Sequence, residues 1–81
     1  MSKSMRNDMI DAIRMNCEGN LQTHKTNIEL YLNKSIGIGE HSDIIQTIIK
    51  ELEQVAKYEE LIQTLNKHFS KETTHELYEN K

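Results

Sequence analysis

The sequence predicts an all-α fold built on one antiparallel helical hairpin. Two stretches carry apolar residues at intervals of three and four, the spacing that places side chains on one face of a helix. The 81 residues include no proline and three glycines, so few residues interrupt helices. We expect the hairpin to pair residues 20–33 with residues 42–69 and to assemble as a homo-oligomeric bundle.

The first helix is predicted over residues 4–33. Its apolar face is marked by Ile10, Ile13, Cys17, Leu21, His24, Ile28 and Tyr31. Gly19 and Asn20 interrupt this series, and a glycine inside a helix costs about 1 kcal/mol relative to alanine. The helix is therefore expected to kink or break there, releasing residues 4–18 as an N-terminal arm that packs in cis or on a neighbouring subunit, or else to run unbroken beside the second helix.

The second helix, residues 42–69, carries the strongest pattern in the chain. The residues that we expect at its core or oligomer interface are Ile45, Ile48, Leu52, Val55, Tyr58, Leu61, Ile62, Leu65 and Phe69. Together with Ile44, Ile49 and Ala56 they form a face broader than the two-in-seven seam of a simple coiled coil. The breadth predicts more than one neighbouring helix. Ser42 is expected to cap the start of this helix, or else the helix starts at Gly39 or Glu40.

Two segments lie outside the predicted helices. In the connection, residues 34–41, we expect Ile36 or Ile38 to cover the end of the hairpin, because neither side chain gains from lying in water. The tail, residues 70–81, is polar, and residues 73–76 have the form of a capping box that precedes a short helical turn.

The composition predicts self-association. The chain has one cysteine, one phenylalanine and no tryptophan, and 36% of its residues are hydrophobic. A chain of this size buries a small core and has no disulfide framework to reinforce it. The first partner that we expect is therefore another copy of the same chain.

The charge distribution argues against duplex nucleic acid as a partner. The net charge is −3, and residues 40–81 contain nine acidic against five basic side chains. Binding to a phosphate backbone needs the opposite balance. The longest apolar run is three residues, so no membrane partner and no membrane span are expected.

No arrangement of residues predicts catalysis, a metal site or a cofactor. The consecutive residues 41–43 point in different directions and cannot form a catalytic triad among themselves. Cys17 lies on the predicted buried face without a general base at helical spacing. Glu72 and His75 have the spacing of half a di-iron motif, which needs a second such pair. We therefore expect a protein that is not an enzyme.

His24 stands where the apolar series calls for leucine. One interpretation is a hydrogen-bonded histidine at the edge of the core. The other is a ligand site at a subunit junction, where Arg14, His24, Lys25 and Lys34 from different chains supply donors to an anionic ligand.

The run Gly37-Ile38-Gly39-Glu40-His41-Ser42-Asp43, followed by Glu51-Leu52, Val55-Ala56-x-Tyr58-Glu59-Glu60 and Lys67-x-Phe69, resembles a set of short helical proteins of tailed bacteriophages. The likeness covers residues 21–69, and that family has no established activity. It implies phage origin. Because the apolar runs are short and the N-terminus lacks a signal-peptide core, we expect a cytoplasmic location, which for a phage protein is the infected bacterial cell. In plan alone, the chain is also similar to the phage anti-CBASS hairpins that act as sponges for cyclic nucleotide signals. Their tryptophan, alanine and asparagine motif has no match here, so no ligand residue is carried over.

These observations favour a non-enzymatic phage accessory protein that binds a host protein or a nucleotide signal and counteracts a host defence or another host process. A helical component of the virion is the first alternative. An RNA-binding hairpin like the plasmid protein Rop is a further alternative, but the net negative charge argues against it.

Overall fold

In the part of the chain that the structure describes, two helices pack against each other. The computed structural model describes residues 5–34 and 41–71, with the side chains of all but residues 34, 41 and 42. Helix α1 spans Met5–Lys34 and helix α2 spans His41–His68. Contacts pair the start of α1 with the end of α2, so the helices are antiparallel. The helical hairpin is confirmed. The pairing predicted for residues 20–33 extends instead to the start of α1, where Arg6 and Arg14 contact Ser70 and Asn66, and both helices end within one residue of the predicted ranges 4–33 and 42–69.

Helix α1 continues through Gly19 without a break, so residues 4–18 form no separate arm over the part that the structure describes. Two side chains that follow the glycine donate back across this turn: Asn20 Nδ2 donates to the Asn16 carbonyl at 2.9 Å, and Thr23 Oγ1 donates to the Gly19 carbonyl at 3.0 Å. Cys17 is buried and Leu21 half-buried. A break between these two would remove both contacts, which outweighs the cost of one glycine.

The two helices touch along narrower stripes than the sequence pattern indicates. In α1 the residues turned towards α2 are Ile10, Arg14, Cys17, Leu21, His24 and Ile28, and in α2 the residues turned towards α1 are Ile44, Ile48, Glu51, Val55, Tyr58, Ile62 and Leu65. Arg14 thus takes the place predicted for Ile13, which is 47% exposed. Glu51 takes the place predicted for Leu52, which is 54% exposed.

The hairpin has a very small core of its own. Among the described residues, the buried hydrophobic side chains are Ile10 and Cys17. Large apolar side chains that remain exposed are Met5, Met9, Ile13, Met15, Leu30, Tyr31, Leu32, Ile45, Ile49, Leu52, Leu61 and Phe69. Two helices cover one stripe of each other, so the rest of the apolar surface of the described residues faces away from the contact between α1 and α2.

Some sequence predictions fall outside the described residues. These are the cover formed by Ile36 or Ile38, the capping box at residues 73–76 with the helical turn after it, and the pair Glu72 and His75. The prediction of Ser42 as the cap is wrong: α2 begins at His41, so Ser42 lies inside the helix, with Asp43 in its first turn. Neither described helix is long and apolar enough to cross a lipid bilayer.

Replacing Gly19 by alanine should stabilise the protein. A Cβ atom at Gly19 would have no atom within 4 Å, and alanine is favoured over glycine inside a helix by about 1 kcal/mol. We expect the free energy of unfolding, measured by urea titration and circular dichroism, to rise by about that amount. A loss of stability would contradict an unbroken α1 with an open surface at Gly19.

Candidate functional site at the helix contact

A polar cluster lies at the middle of the contact between the helices. His24 Nδ1 and Glu51 Oε1 are 2.6 Å apart, and Asn27 Nδ2 donates to the same oxygen at 3.2 Å. The His24 ring stacks on the ring of Tyr58, with centroids 6.0 Å apart and planes 12° from parallel. The interpretation of His24 as a hydrogen-bonded histidine at the edge of the core is confirmed.

The cluster keeps Glu51 ionised. The hydrogen bond from His24 lowers the pKa of Glu51 below its ordinary value of 4.5, and the bond from Asn27 lowers it further, against a smaller opposing effect of burial. A carboxylate only accepts hydrogen bonds, so His24 Nδ1 must carry the donated proton. The partly buried charge of Glu51 is therefore compensated within the hairpin.

The geometry suits a role in helix pairing. Two hydrogen bonds converge on one carboxylate oxygen of Glu51, so sliding or rotating either helix would leave a partly buried charge without partners. Polar residues inside helix contacts fix register in this way at some cost in stability. Among the described residues, no group of three His, Cys, Asp or Glu side chains could hold a metal ion.

One hairpin does not gather the four basic residues predicted to bind an anion. Arg14 donates from Nη2 and Nε to Asn66 Oδ1 at 2.7 and 3.2 Å, and its Nη1 lies 3.5 Å from Asp11 Oδ1. His24 is bound to Glu51, whereas Lys25 is exposed. Lys34 lies about 30 Å from Arg14 along α1, at 1.5 Å per residue, and its side chain is not described. The anion site at a subunit junction stays a prediction.

The predicted interface residues of α2 divide into two sets. Ile48, Val55, Tyr58, Ile62 and Leu65 are half-buried in the contact with α1, whereas Ile45, Leu52, Leu61 and Phe69 are exposed. Burial of the exposed set by another chain stays a prediction.

Apolar grooves flank α1 in the part of the chain that the structure describes, and two of them also include residues of α2. The terminal groove, at the end of the hairpin that holds Met5 and Lys71, has a volume of about 580 Å³ and is lined by Arg6, Met9, Ile10, Ile13, Leu65 and Phe69. The loop-proximal groove, nearer the connection, has a volume of about 320 Å³ and is lined by Gln22, Lys25, Thr26, Ile28, Glu29, Leu52 and Val55. On a helical projection of α1, Ile13 and Lys25 lie on opposite flanks of the stripe that faces α2. The grooves therefore open on opposite sides of the hairpin.

Polar contacts tie the chain after α2 to the start of α1. Arg6 Nη1 donates to the Ser70 carbonyl at 3.0 Å, and Lys71 Nζ lies 3.0 Å from Asp11 Oδ1. Sequence reasoning missed these residues because they join positions far apart in the chain and follow no periodic pattern. They hold Phe69 beside the terminal groove.

Comparisons with protein-family models, with curated proteins and with solved structures found no match.

Replacing Glu51 by glutamine should weaken the dependence of stability on acid pH. Because folding lowers the Glu51 pKa, the carboxylate adds stability above pH 4.5, and this contribution is lost as the pH falls through the folded-state pKa. The melting temperature of the wild type should therefore fall more steeply below about pH 4.5 than that of Glu51→Gln.

Glu53→Gln is the matched control. Glu53 is exposed on the same helix, so this variant should keep the acid dependence of the wild type. Equal slopes for all three proteins would show that the cluster does not couple Glu51 ionisation to folding.

Proposed function

We propose that this chain is a non-enzymatic accessory protein of phage type, a homo-oligomeric helical hairpin that counteracts a host defence or another host process by binding a host protein. The observation that carries the proposal is the terminal groove, an apolar surface held on a firmly paired end of the hairpin. The resemblance of residues 21–69 to phage proteins supplies the biological setting.

The groove has the composition of a protein-binding surface. Ile10 is 5% exposed and forms its floor, while Met9 and Phe69 are 57% and 53% exposed at its sides. Exposed apolar clusters on small soluble proteins mark interaction sites. Methionine adapts to the shape of a partner, and aromatic residues are frequent anchors of binding energy.

The shape of the groove favours a helix as the bound element. The groove lies between two antiparallel helices and is open along one side, so an amphipathic helix could place apolar residues spaced three and four apart into it. The contacts of Arg6 with Ser70 and of Asp11 with Lys71 hold the walls in place before binding. Such preorganisation lowers the entropic cost of association.

The contacts that the basic residues already make favour a protein target over a nucleotide signal. Arg14 and His24 already hold partners within the hairpin, so binding an anion would require breaking these contacts or gathering lysines from several chains. Nucleotide sequestration therefore ranks second.

An aspartate in the terminal groove should abolish capture of the host protein. Ile13 is 47% exposed inside the groove, whereas Met15 is 69% exposed on another side of α1. In pull-downs from lysate of the host bacterium, Ile13→Asp should reduce retention of the captured protein at least about tenfold, because a carboxylate would be desolvated in the contact. Met15→Asp is the control and should retain it.

Circular dichroism of both variants checks that their helices are intact, so that a loss of retention reflects the binding surface and not unfolding. A host protein retained equally by wild type, Ile13→Asp and Met15→Asp would place the binding surface elsewhere. The absence of any stoichiometric partner would contradict a host protein target.

Thermal shift with cyclic di- and trinucleotides tests the second-ranked function. A ligand at 100 times its dissociation constant adds about 2.7 kcal/mol of stability. We expect no shift. A shift that disappears in Lys25→Met, which keeps the aliphatic stem and removes the charge, would replace the proposed protein target with nucleotide sequestration.

A further inference from the structure

Helix α2 carries a second apolar seam that does not face α1. It consists of Ile45, Ile49, Leu52 and Ala56, spaced four, three and four residues apart. Ile45, Ile49 and Leu52 are 55%, 41% and 54% exposed, and Ala56 is also exposed. This spacing is the one with which a helix packs along another helix. The seam borders the loop-proximal groove through Leu52.

The seam is complementary to itself under an antiparallel two-fold rotation. Ile49 and Leu52 lie equally far on either side of the midpoint between Lys50 and Glu51, and so do Ile45 and Ala56. A two-fold axis that passes through this midpoint and is perpendicular to α2 places Ile49 against Leu52 of a second copy. It also places the large Ile45 against the small Ala56. A surface that matches itself in this way is what a two-fold dimer contact requires.

The charges of α1 match under the same axis. Asn27 touches Glu51 and is therefore level with the midpoint of the seam. Lys25 and Glu29 lie two residues before and two residues after Asn27, and both line the loop-proximal groove. The antiparallel rotation brings Lys25 of each copy opposite Glu29 of the other. A two-fold axis parallel to the helices would instead place α1 of each copy against α2 of the other, so Lys25 would not meet Glu29.

We propose that a second copy of this chain docks on the loop-proximal face, formed by Lys25, Ile28, Glu29, Ile45, Ile49, Leu52, Val55 and Ala56, through an antiparallel two-fold contact. The two α2 helices meet at Ile49 and Leu52, and the two α1 helices meet at Lys25 and Glu29. This deepens the proposed function, on whose homo-oligomeric form it rests, and leaves the terminal groove of each copy open.

The extent of this contact is sufficient for a dimer. The overlap begins at His41 and ends at Glu60, equally far beyond the midpoint, which at 1.5 Å per residue gives about 30 Å. Two helices side by side are about 20 Å wide, so each copy buries on the order of 600 Å². The total of about 1,200 Å² is at the lower end of stable, specific interfaces.

Charge exchange between copies tests the arrangement. Lys25→Glu alone places the introduced carboxylate opposite Glu29 of the other copy, and Glu29→Lys alone places the introduced ammonium group opposite Lys25. Each variant therefore converts two attractive contacts into two repulsive ones. By sedimentation equilibrium at low salt, the wild type should have twice its chain mass of 9.5 kDa. Each single variant should dimerise at least about tenfold more weakly.

The equimolar mixture of the two variants is the decisive sample. Lys25 and Glu29 are also four residues apart within α1, and mixing does not restore that pair inside either chain. In a mixed dimer both contacts between chains pair opposite charges, as in the wild type. One contact joins the two original side chains, and the other joins the two introduced ones. The mixture should therefore dimerise nearly as well as the wild type.

Three outcomes would overturn the proposed contact. One is a mixture that dimerises no better than the single variants. Another is a pair of single variants that dimerise as well as the wild type. The third is a wild type that sediments as a monomer.

Two aspartate variants separate this inference from the proposed function. Leu52→Asp should yield a monomer that keeps its helices, because Leu52 is 54% exposed in the single chain. Ile13→Asp, in the terminal groove, should remain a dimer while losing the host protein. Loss of the dimer in Ile13→Asp would place the contact on the opposite face and overturn the inference. If the charge-exchange variants dimerise as expected but no host protein is captured, the dimer contact is supported and the proposed function is contradicted.

Discussion

The hydrogen bond between His24 and Glu51 sets how each helix is rotated towards the other. Each residue of an α-helix is turned by about 100° from the one before it. With Glu51 directed at His24, Leu52 must therefore lie on the flank of α2, and the seam that contains Ile45 follows it to the surface. The 2.6 Å contact with His24 and the second bond from Asn27 favour this rotation, since a small turn or slide of either helix would leave the partly buried carboxylate without its partners.

That rotation divides the broad apolar face of α2 into two seams with different neighbours. One seam contacts α1, whereas the other, with Ile45, Ile49 and Leu52, is exposed among the described residues. On α1 the same rotation turns Arg14 inward and leaves Ile13 in the terminal groove. Among the described residues, the buried hydrophobic side chains are Ile10 and Cys17. Much of the apolar area of the hairpin therefore lies on outward surfaces. Burial of that area by other chains is a natural source of both stability and recognition.

The parts of the candidate site differed in how far the sequence could predict them. His24 was identifiable because it interrupts an apolar series, and a partly buried histidine requires a hydrogen-bond partner. Its partner Glu51 was not identifiable, because on the pattern of α2 alone Glu51 belongs to the polar side, next to the more hydrophobic Leu52. The contacts of Arg6 with Ser70 and of Asp11 with Lys71 join opposite ends of the chain and leave no local signal.

The sequence by itself determined the two helices, their ends to within one residue and the antiparallel pairing, because these follow from local periodicity, the rarity of helix breakers and a short connection. Tertiary structure alone decided that α1 runs unbroken through Gly19, that Arg14 rather than Ile13 faces α2, and that Leu52 lies outside the hairpin contact. An apolar face wider than one helix contact is compatible with several rotations. Only the polar partners on the facing helix, His24 for Glu51 and Asn66 for Arg14, select one of them.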